Sequence, residues 1–259
     1  FPSSDLIADK FPHVSPYNYA ENEPVGSIDL WGLQRWIVNG RERTNAMPKW
    51  QTNARTIGFG IRHPIAAASI GVTTDVGTNI SSVSERMSNH LAGKGANTGI
   101  LTEGSGSERN ALRHVLFSSM LRTNFSEKIS RKATNAHEGV GVIETQNVDF
   151  SRSFNNNDIK LADNIVDVLN NEIGFNLAAN NPDADNPRDL AILALDEFRN
   201  NGFWTTTADK EGIITISKTQ INQRQHDRAM RVLNTLDSNG FTTQELDRVI
   251  QKLMRRTNE

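Results

Sequence analysis

Two histidines and a run of Asp and Asn side chains are the residues of this sequence best suited to chemistry. In Asn110-Ala-Leu-Arg113-His114-Val-Leu-Phe117, positions 110, 114 and 118 recur every fourth residue, so Asn110, His114 and Ser118 share a narrow polar stripe of a helix. Ala111 and Val115 on one flank, and Phe117 and Leu121 on the other, predict that this histidine is buried. Taken alone, it reads as a core histidine satisfied by its neighbours. A second histidine stands in Ala133-Thr-Asn-Ala-His137-Glu138-Gly139, where Gly139 and Gly141 mark a helix end. Neighbouring positions cannot share a helical face, so His137 and Glu138 diverge unless the helix stops there. Alone, His137 reads equally well as a cation set against a helix C-terminus.

The third segment, Asp163-Asn-Ile-Val-Asp167-Val-Leu-Asn170-Asn171-Glu-Ile-Gly174-Phe, is the most informative. On a helix Asp163, Asp167, Asn170 and Gly174 fall within about 60° of one another, with Asn171 beside them. A solvent face more often carries Lys and Glu, which favour helices. Asp and Asn compete with the backbone for hydrogen bonds and are poor mid-helix residues. Gly174 costs about 1 kcal/mol relative to alanine in a helix interior, and close approach of another group is a reason for it.

Together these segments bring two histidines, three carboxylates and two asparagines onto three successive helices, which a bundle could converge on one pocket. A histidine held by a carboxylate supplies acid–base capacity near neutral pH. Asn170 and Asn171 offer donors for an oxyanion or phosphoryl oxygen, and Arg113 a clamp for phosphate. The expected catalytic set is therefore His114, His137, Glu138 and Asp167, with Arg113, Asp163, Asn170 and Asn171 around the substrate. No cofactor is expected. His114, His137 and Asp167 also offer N and O ligands for a divalent metal, but the tight His-Glu-x-x-His spacing is missing.

The elements that must position these groups are mainly helices. Ile80, Val83, Met87 and Leu91 recur at helical spacing over 79–92. Ser107 caps a helix to about Thr123, and another fits 127–138. After the polar loop Phe154-Asn-Asn-Asn157, Asp158 opens a helix to about Ala179, and Asn186-Pro187 opens one to about Asn201. His63-Pro64 looks like a helix entrance. The β-branched run 213–217 is the expected strand. Two helices follow, the last opened by the capping box Thr242-Thr-Gln-Glu245; His226, among charged residues in the first of them, is expected on the surface. Phe59, Trp36 and Trp50 are expected to be packing residues. The reading is mainly α: a single helical domain with at most a short β element, preceded by an irregular or β segment.

Composition narrows the function classes. The 259 residues carry a net charge of −2, so no basic surplus argues for nucleic acid. Cysteine is absent, which excludes disulfides and thiolate chemistry. No apolar run reaches the length of a membrane span, and Phe1–Lys10 lacks the basic start and apolar core of a signal peptide. A Gly-x-Ser-x-Gly elbow and a phosphate-binding P-loop are both missing.

The first 33 residues differ from the rest, holding four of the eight prolines. Their stretch SPYNYAENEPVGSIDLWGL resembles the segment that closes the shell of Rhs/YD-repeat polymorphic toxins, through Tyr17, Tyr19, Asn22, Pro24, Asp29, Gly32 and Leu33. Glu23 and Leu30-Trp31 depart from the usual Asn and Pro. The resemblance implies that residues 1–33 end the shell and that cleavage after Leu33 releases 34–259 as the toxin, with 34–57 leading into a helical core at 58–259.

That core resembles a toxin domain found after such shells, whose patterns NAFRHxLW, xAHE and DxxNNxxG fall on Asn110, Arg113, His114, His137, Glu138, Asp167, Asn170, Asn171 and Gly174. A looser similarity joins Glu144, Gln146, Arg152 and Asp167 to Gly174 with VanZ and the Wnt-like helical toxins of the Lipocone superfamily, thought to act on lipid head groups or lipid-linked wall precursors.

The implied protein is a secreted antibacterial effector, delivered into a competitor by an apparatus of the type VI kind and neutralised by a cognate immunity protein. It would act on a lipid or lipid-linked substrate, with no nucleic acid favoured. A metal-dependent nuclease and a non-catalytic membrane-disrupting toxin are the alternatives.

Overall fold

A computed structural model describes residues 49–93, 99–137, 153–154 and 159–257. Their order is α1 (Lys49–Arg62), α2 (Pro64–Ile70), α3 (Ile80–Leu91), α4 (Glu108–Asn124), α5 (Glu127–His137), α6 (Ile159–Asn180), α7 (Pro187–Asn200), β1 (Phe203–Ala208), β2 (Ile214–Thr219), α8 (Gln223–Leu233) and α9 (Thr243–Thr257). The fold is mainly α with one short β element, as the periodicity predicts. Segment 1–33, Trp36, residues 155–157 and the expected cap Asp158 lie outside the described residues. Helix α1 begins at Lys49, inside the stretch 34–57 read as leading into the core.

Side chains near the helix starts fix where several of them begin. Asn79 accepts from the Ser82 N–H, Ser107 from Asn110, and Asn186 from Asp189, with Pro187 in the first turn. Asn222 and Gln225 form a capping box on α8. Thr242 and Glu245 form the expected one on α9: the Thr242 N–H donates to Glu245 Oε2 at 2.9 Å, and the Glu245 N–H to Thr242 Oγ1 at 3.3 Å. His63 precedes α2 but gives it no side-chain cap.

Helix α4 is the axis of the molecule, packing along α6 and also against α3, α7 and β1. Ile80, Val83, Met87 and Leu91 turn inward, as their spacing requires, and meet Leu112, Leu116, Leu195 and Phe198 in one apolar cluster; Phe59 packs into its edge. A second cluster joins Leu161, Ile165, Val166 and Leu169 of α6 to Ile214 and Ile216 of β2. The first half of α6 belongs to one cluster and α4 to the other, and the residues that face each other between them are polar.

The sheet holds more than the single expected strand. β1 pairs antiparallel with β2, in a register that sets Phe203 opposite Thr219 and Ala208 opposite Ile214. Phe203 buries completely and stacks on Phe198 with ring centroids 4.2 Å apart.

Candidate functional site

The polar stripe of α4 meets the Asp/Asn stripe of α6 face to face. Close approach depends on Gly174: a Cβ there would fall 2.1 Å from Ser118 Oγ and 2.3 Å from the Val115 carbonyl. Only a residue without a side chain lets the helices press together at that turn. Both stripes are consequently buried, among them Asn110, His114, Ser118, Asp167, Asn170 and Asn171. Such groups require partners within the protein.

Asn110 is the hub. Its Nδ2 donates to Asp167 Oδ1 at 2.8 Å and to Asp163 Oδ1 at 3.3 Å, while its Oδ1 accepts from Arg113 Nη2 at 2.8 Å. Asp163 also accepts from the Gly106 N–H at 2.5 Å. Gly106 has φ of +64°, and a Cβ on it would strike Thr206, so the glycine-serine loop turns a backbone donor toward α6 by using glycine. Burial pushes the Asp163 carboxyl up, against the Gly106 hydrogen bond, the Arg113 charge and a hydrogen bond from Ser105, which pull it down.

His114 sits between three groups. Nε2 lies 3.2 Å from Asp167 Oδ1 and 2.7 Å from Arg113 Nη2, and Nδ1 lies 3.4 Å from Asn171 Oδ1. The two contacts at Nε2 need opposite protonation of one nitrogen. A neutral imidazole with its proton on Nδ1 faces Asn171 Oδ1 and accepts from Arg113 at Nε2. With the proton on Nε2 the ring would instead donate to Asp167 Oδ1. Arg113 and Asp167 thus compete for one ring nitrogen.

The cluster reaches the surface through Arg113, whose side chain is 30% exposed, while those of His114 and Asp167 are 4% and 8% exposed. Arg113 Nε lies 3.6 Å from Glu85 Oε2 of α3, and Glu85 Oε1 holds Arg109 at 3.2 Å. Glu85 and Asn89 also line a cavity of about 480 Å³ between α3 and α9, together with Arg86, His90, Glu245 and Arg248. Glu85 therefore joins the mouth of the cluster to the wall of an open cavity. Nothing in the sequence sets Glu85 apart from an ordinary surface glutamate.

Asn170 corrects the sequence reading. Its Nδ2 donates to the Trp204 carbonyl at 2.8 Å, and its Oδ1 accepts from the Trp204 N–H at 3.0 Å. Both ends of the amide hold the backbone of β1, so Asn170 docks the sheet on α6 and does not face the His114 cluster. His226 corrects it too. The ring is buried, with Nε2 3.0 Å from Asp196 Oδ1, because the face of α8 that carries it packs on α7.

The other expected site residues gather around His114: Arg113, Asp163, Asp167 and Asn171. Helix α5 ends at His137, but that side chain, the side chain of Trp50, and Glu138, Glu144, Gln146 and Arg152 lie outside the described residues. Among the described residues no group of three His, Asp or Glu side chains is placed to hold a metal ion. The trio considered from the sequence includes His137.

Residues 77–201 match a protein family described as a domain of unknown function (DUF6973). The matched stretch runs from just before α3 to the end of α7 and contains every residue of the His114 cluster, while segment 1–33 falls outside it. No curated protein and no solved structure matches the chain.

Proposed function

We propose that this chain is the C-terminal part of a secreted antibacterial effector of the Rhs kind, and that the Arg113–His114–Asp167 cluster is its acid–base site. The substrate would be a phosphate-linked lipid head group or a lipid-linked cell-wall precursor. One observation supports the chemistry above the others: His114 Nε2 lies within 3.2 Å of a buried carboxylate and 2.7 Å of a partly exposed guanidinium. Burying such a pair is poor stabilisation, since apolar residues of similar volume often serve as well or better. Chemistry supplies a reason for the cluster that stability does not.

In this reading a phosphoryl oxygen is drawn to Arg113 and takes the place of His114 on the guanidinium. The freed Nε2 accepts the proton of an attacking water or hydroxyl as the new P–O bond forms, and Asp167 receives the resulting N–H. The same proton passes to the leaving oxygen as the old P–O bond breaks. Asn110 holds Asp167 and Asp163 in place, and Asn171 fixes the far side of the ring. A cognate immunity protein would protect the producing cell.

The test compares the chain with its His114→Gln variant, expressed in bacteria and targeted in parallel to cytoplasm and periplasm. Glutamine retains hydrogen-bonding capacity but not the titrating nitrogen. Killing and a change in lipid or lipid-linked species, seen with the parent and absent with a folded variant, is the expected result. Full toxicity of His114→Gln, or killing with all lipids unchanged, overturns the assignment; degraded nucleic acid would then direct the search to a nuclease.

A further inference from the structure

We infer that Arg109 and Arg113 form a seat for a phosphate group, occupied in the free protein by the Glu85 carboxylate. This rests on the reading of Arg113 as the residue that draws a phosphoryl oxygen to His114, and adds a second arginine and a displaceable anion to it. Arg109 and Arg113 stand one turn apart on α4, and Glu85 and Asn89 one turn apart on α3, which packs against it. Glu85 Oε1 accepts from Arg109 Nη1 at 3.2 Å, and Glu85 Oε2 lies 3.6 Å from Arg113 Nε. One carboxylate thus spans two guanidinia, with one oxygen for each. Two oxygens of a phosphate group present a similar edge, and arginine recognises both anions through the same fork of donors.

The carboxylate does not use every donor of this seat. Arg109 Nη1 also donates to Asn89 Oδ1 at 2.9 Å, but Arg109 Nε is buried and, among the described residues, has no acceptor. A buried donor without a partner costs free energy and calls for an explanation. A phosphate group brings a third oxygen, which a carboxylate lacks. The position on the helix points the same way. Arg109 is the second residue of α4, where the helix's positive end makes a cation a poor choice and an anion a good one. Packing of α3 on α4 does not need the two arginines, since Met87, Leu91, Leu112 and Leu116 carry it.

Charge and space decide how the seat is filled. Asp163 and Asp167 also lie close to Arg113, through Asn110, so with Glu85 three carboxylates surround two guanidinia. An incoming anion must therefore displace Glu85 rather than join it. Glu85 is 29% exposed and lines the cavity of about 480 Å³ between α3 and α9, so its side chain has room to turn away. Glu85 is then the residue that sets how tightly the seat takes phosphate.

The experiment is calorimetric titration of the full chain, at fixed ionic strength, with inorganic phosphate, glycerol phosphate and dihexanoyl phosphatidylglycerol. Glu85→Gln, which keeps the shape of the side chain and removes its charge, is expected to bind inorganic phosphate about tenfold more tightly than the parent. Adding Arg109→Gln to that variant is expected to weaken binding by about tenfold or more. Adding Arg248→Gln, on the α9 wall of the same cavity, should leave binding unchanged. Circular dichroism checks folding, and Arg109→Lys, which keeps the charge and loses the Nε–H, serves if Arg109→Gln does not fold. Tighter binding of the lipid than of the two soluble phosphates supports a head group as the occupant of the seat, and the reverse supports a free phosphate. Equal affinity of parent and Glu85→Gln, undiminished binding by a folded Arg109 variant, or loss with Arg248→Gln instead each overturns the inference. Binding is read without turnover, so a chain that takes phosphate and leaves lipids unchanged would count against the His114 chemistry and not against the seat.

Discussion

The α4–α6 seam and the joint between α3 and α9 each pair a histidine with a carboxylate, at 3.2 Å for His114–Asp167 and 2.9 Å for His90–Glu245. The chemistry of the two pairs is alike and their settings are opposed. His90 and Glu245 are 23% and 35% exposed, and the same Glu245 oxygen also accepts from the N–H and the hydroxyl of Thr242. That pair fastens α9 to α3, with water on hand for either charge. His114 and Asp167 lie between two apolar clusters, where protein groups must do what water does elsewhere. The difference teaches that a His–carboxylate contact is a fastener where solvent can replace it, and a contact that neighbouring protein groups must satisfy where solvent cannot.

Truncation gives the largest expected separation. His114→Ala empties the seam of the ring that lies between Arg113, Asp167 and Asn171 and is expected to destabilise the fold by about 2–5 kcal/mol. His90→Ala removes one partner of a solvated pair and should cost less than about 1 kcal/mol. Urea unfolding of both variants measures the ratio, and equal losses would break the distinction. Gly174→Ala comes next. Its new Cβ has no room against Val115 and Ser118, so α6 must move off α4, at about 1–3 kcal/mol despite alanine's better helix propensity. An unchanged unfolding midpoint would mean that the helices are not held at the depth described.

Most of the seam is legible in the sequence because it breaks local rules. Asp and Asn in mid-helix, and a glycine at position 174, are unfavourable choices for an isolated helix, so their presence signals a tertiary reason. The helix starts at Ser107, Asn186 and Thr242 are legible because capping is local chemistry. The partners of Asn170 are not. They are backbone atoms of β1, a strand whose run Phe-Trp-Thr-Thr-Thr gains its meaning from pairing with β2 and packing on α6. The burial of His226 and the reach of Glu85 to Arg113 depend likewise on which helix packs opposite, and spacing along one helix does not carry that.

Smaller effects sharpen the same contrast. Glu245→Ala removes the capping-box acceptor and the partner of His90 and is expected to cost about 0.3–1.5 kcal/mol. Burial raises the Glu245 carboxyl, but the Thr242 N–H and hydroxyl and His90 outweigh it, so the folded value lies below the ordinary one. The stability this supplies is present above the unfolded value and is lost as pH falls through the folded value. Unfolding midpoints of parent and variant should therefore converge in acid, and a constant gap would refute the linkage.

Asp163, at the edge of the seam, should behave in the opposite sense. Its folded value is raised, chiefly by burial, so the folded protein holds this proton more tightly than the unfolded chain does. The resulting stability is present below the unfolded value and lost as pH rises through the folded one. Near neutral pH the charge works against the fold. Asp163→Asn removes that charge and keeps an oxygen to accept from the Gly106 N–H and Asn110 Nδ2. The variant is expected to unfold at higher urea than the parent near neutral pH, and the gain should vanish in acid, where the parent is protonated as well. A variant weaker than the parent at neutral pH would mean that the seam needs the negative charge of Asp163 beside Arg113, and would move this aspartate from a helix-docking acceptor into the working charge set of His114.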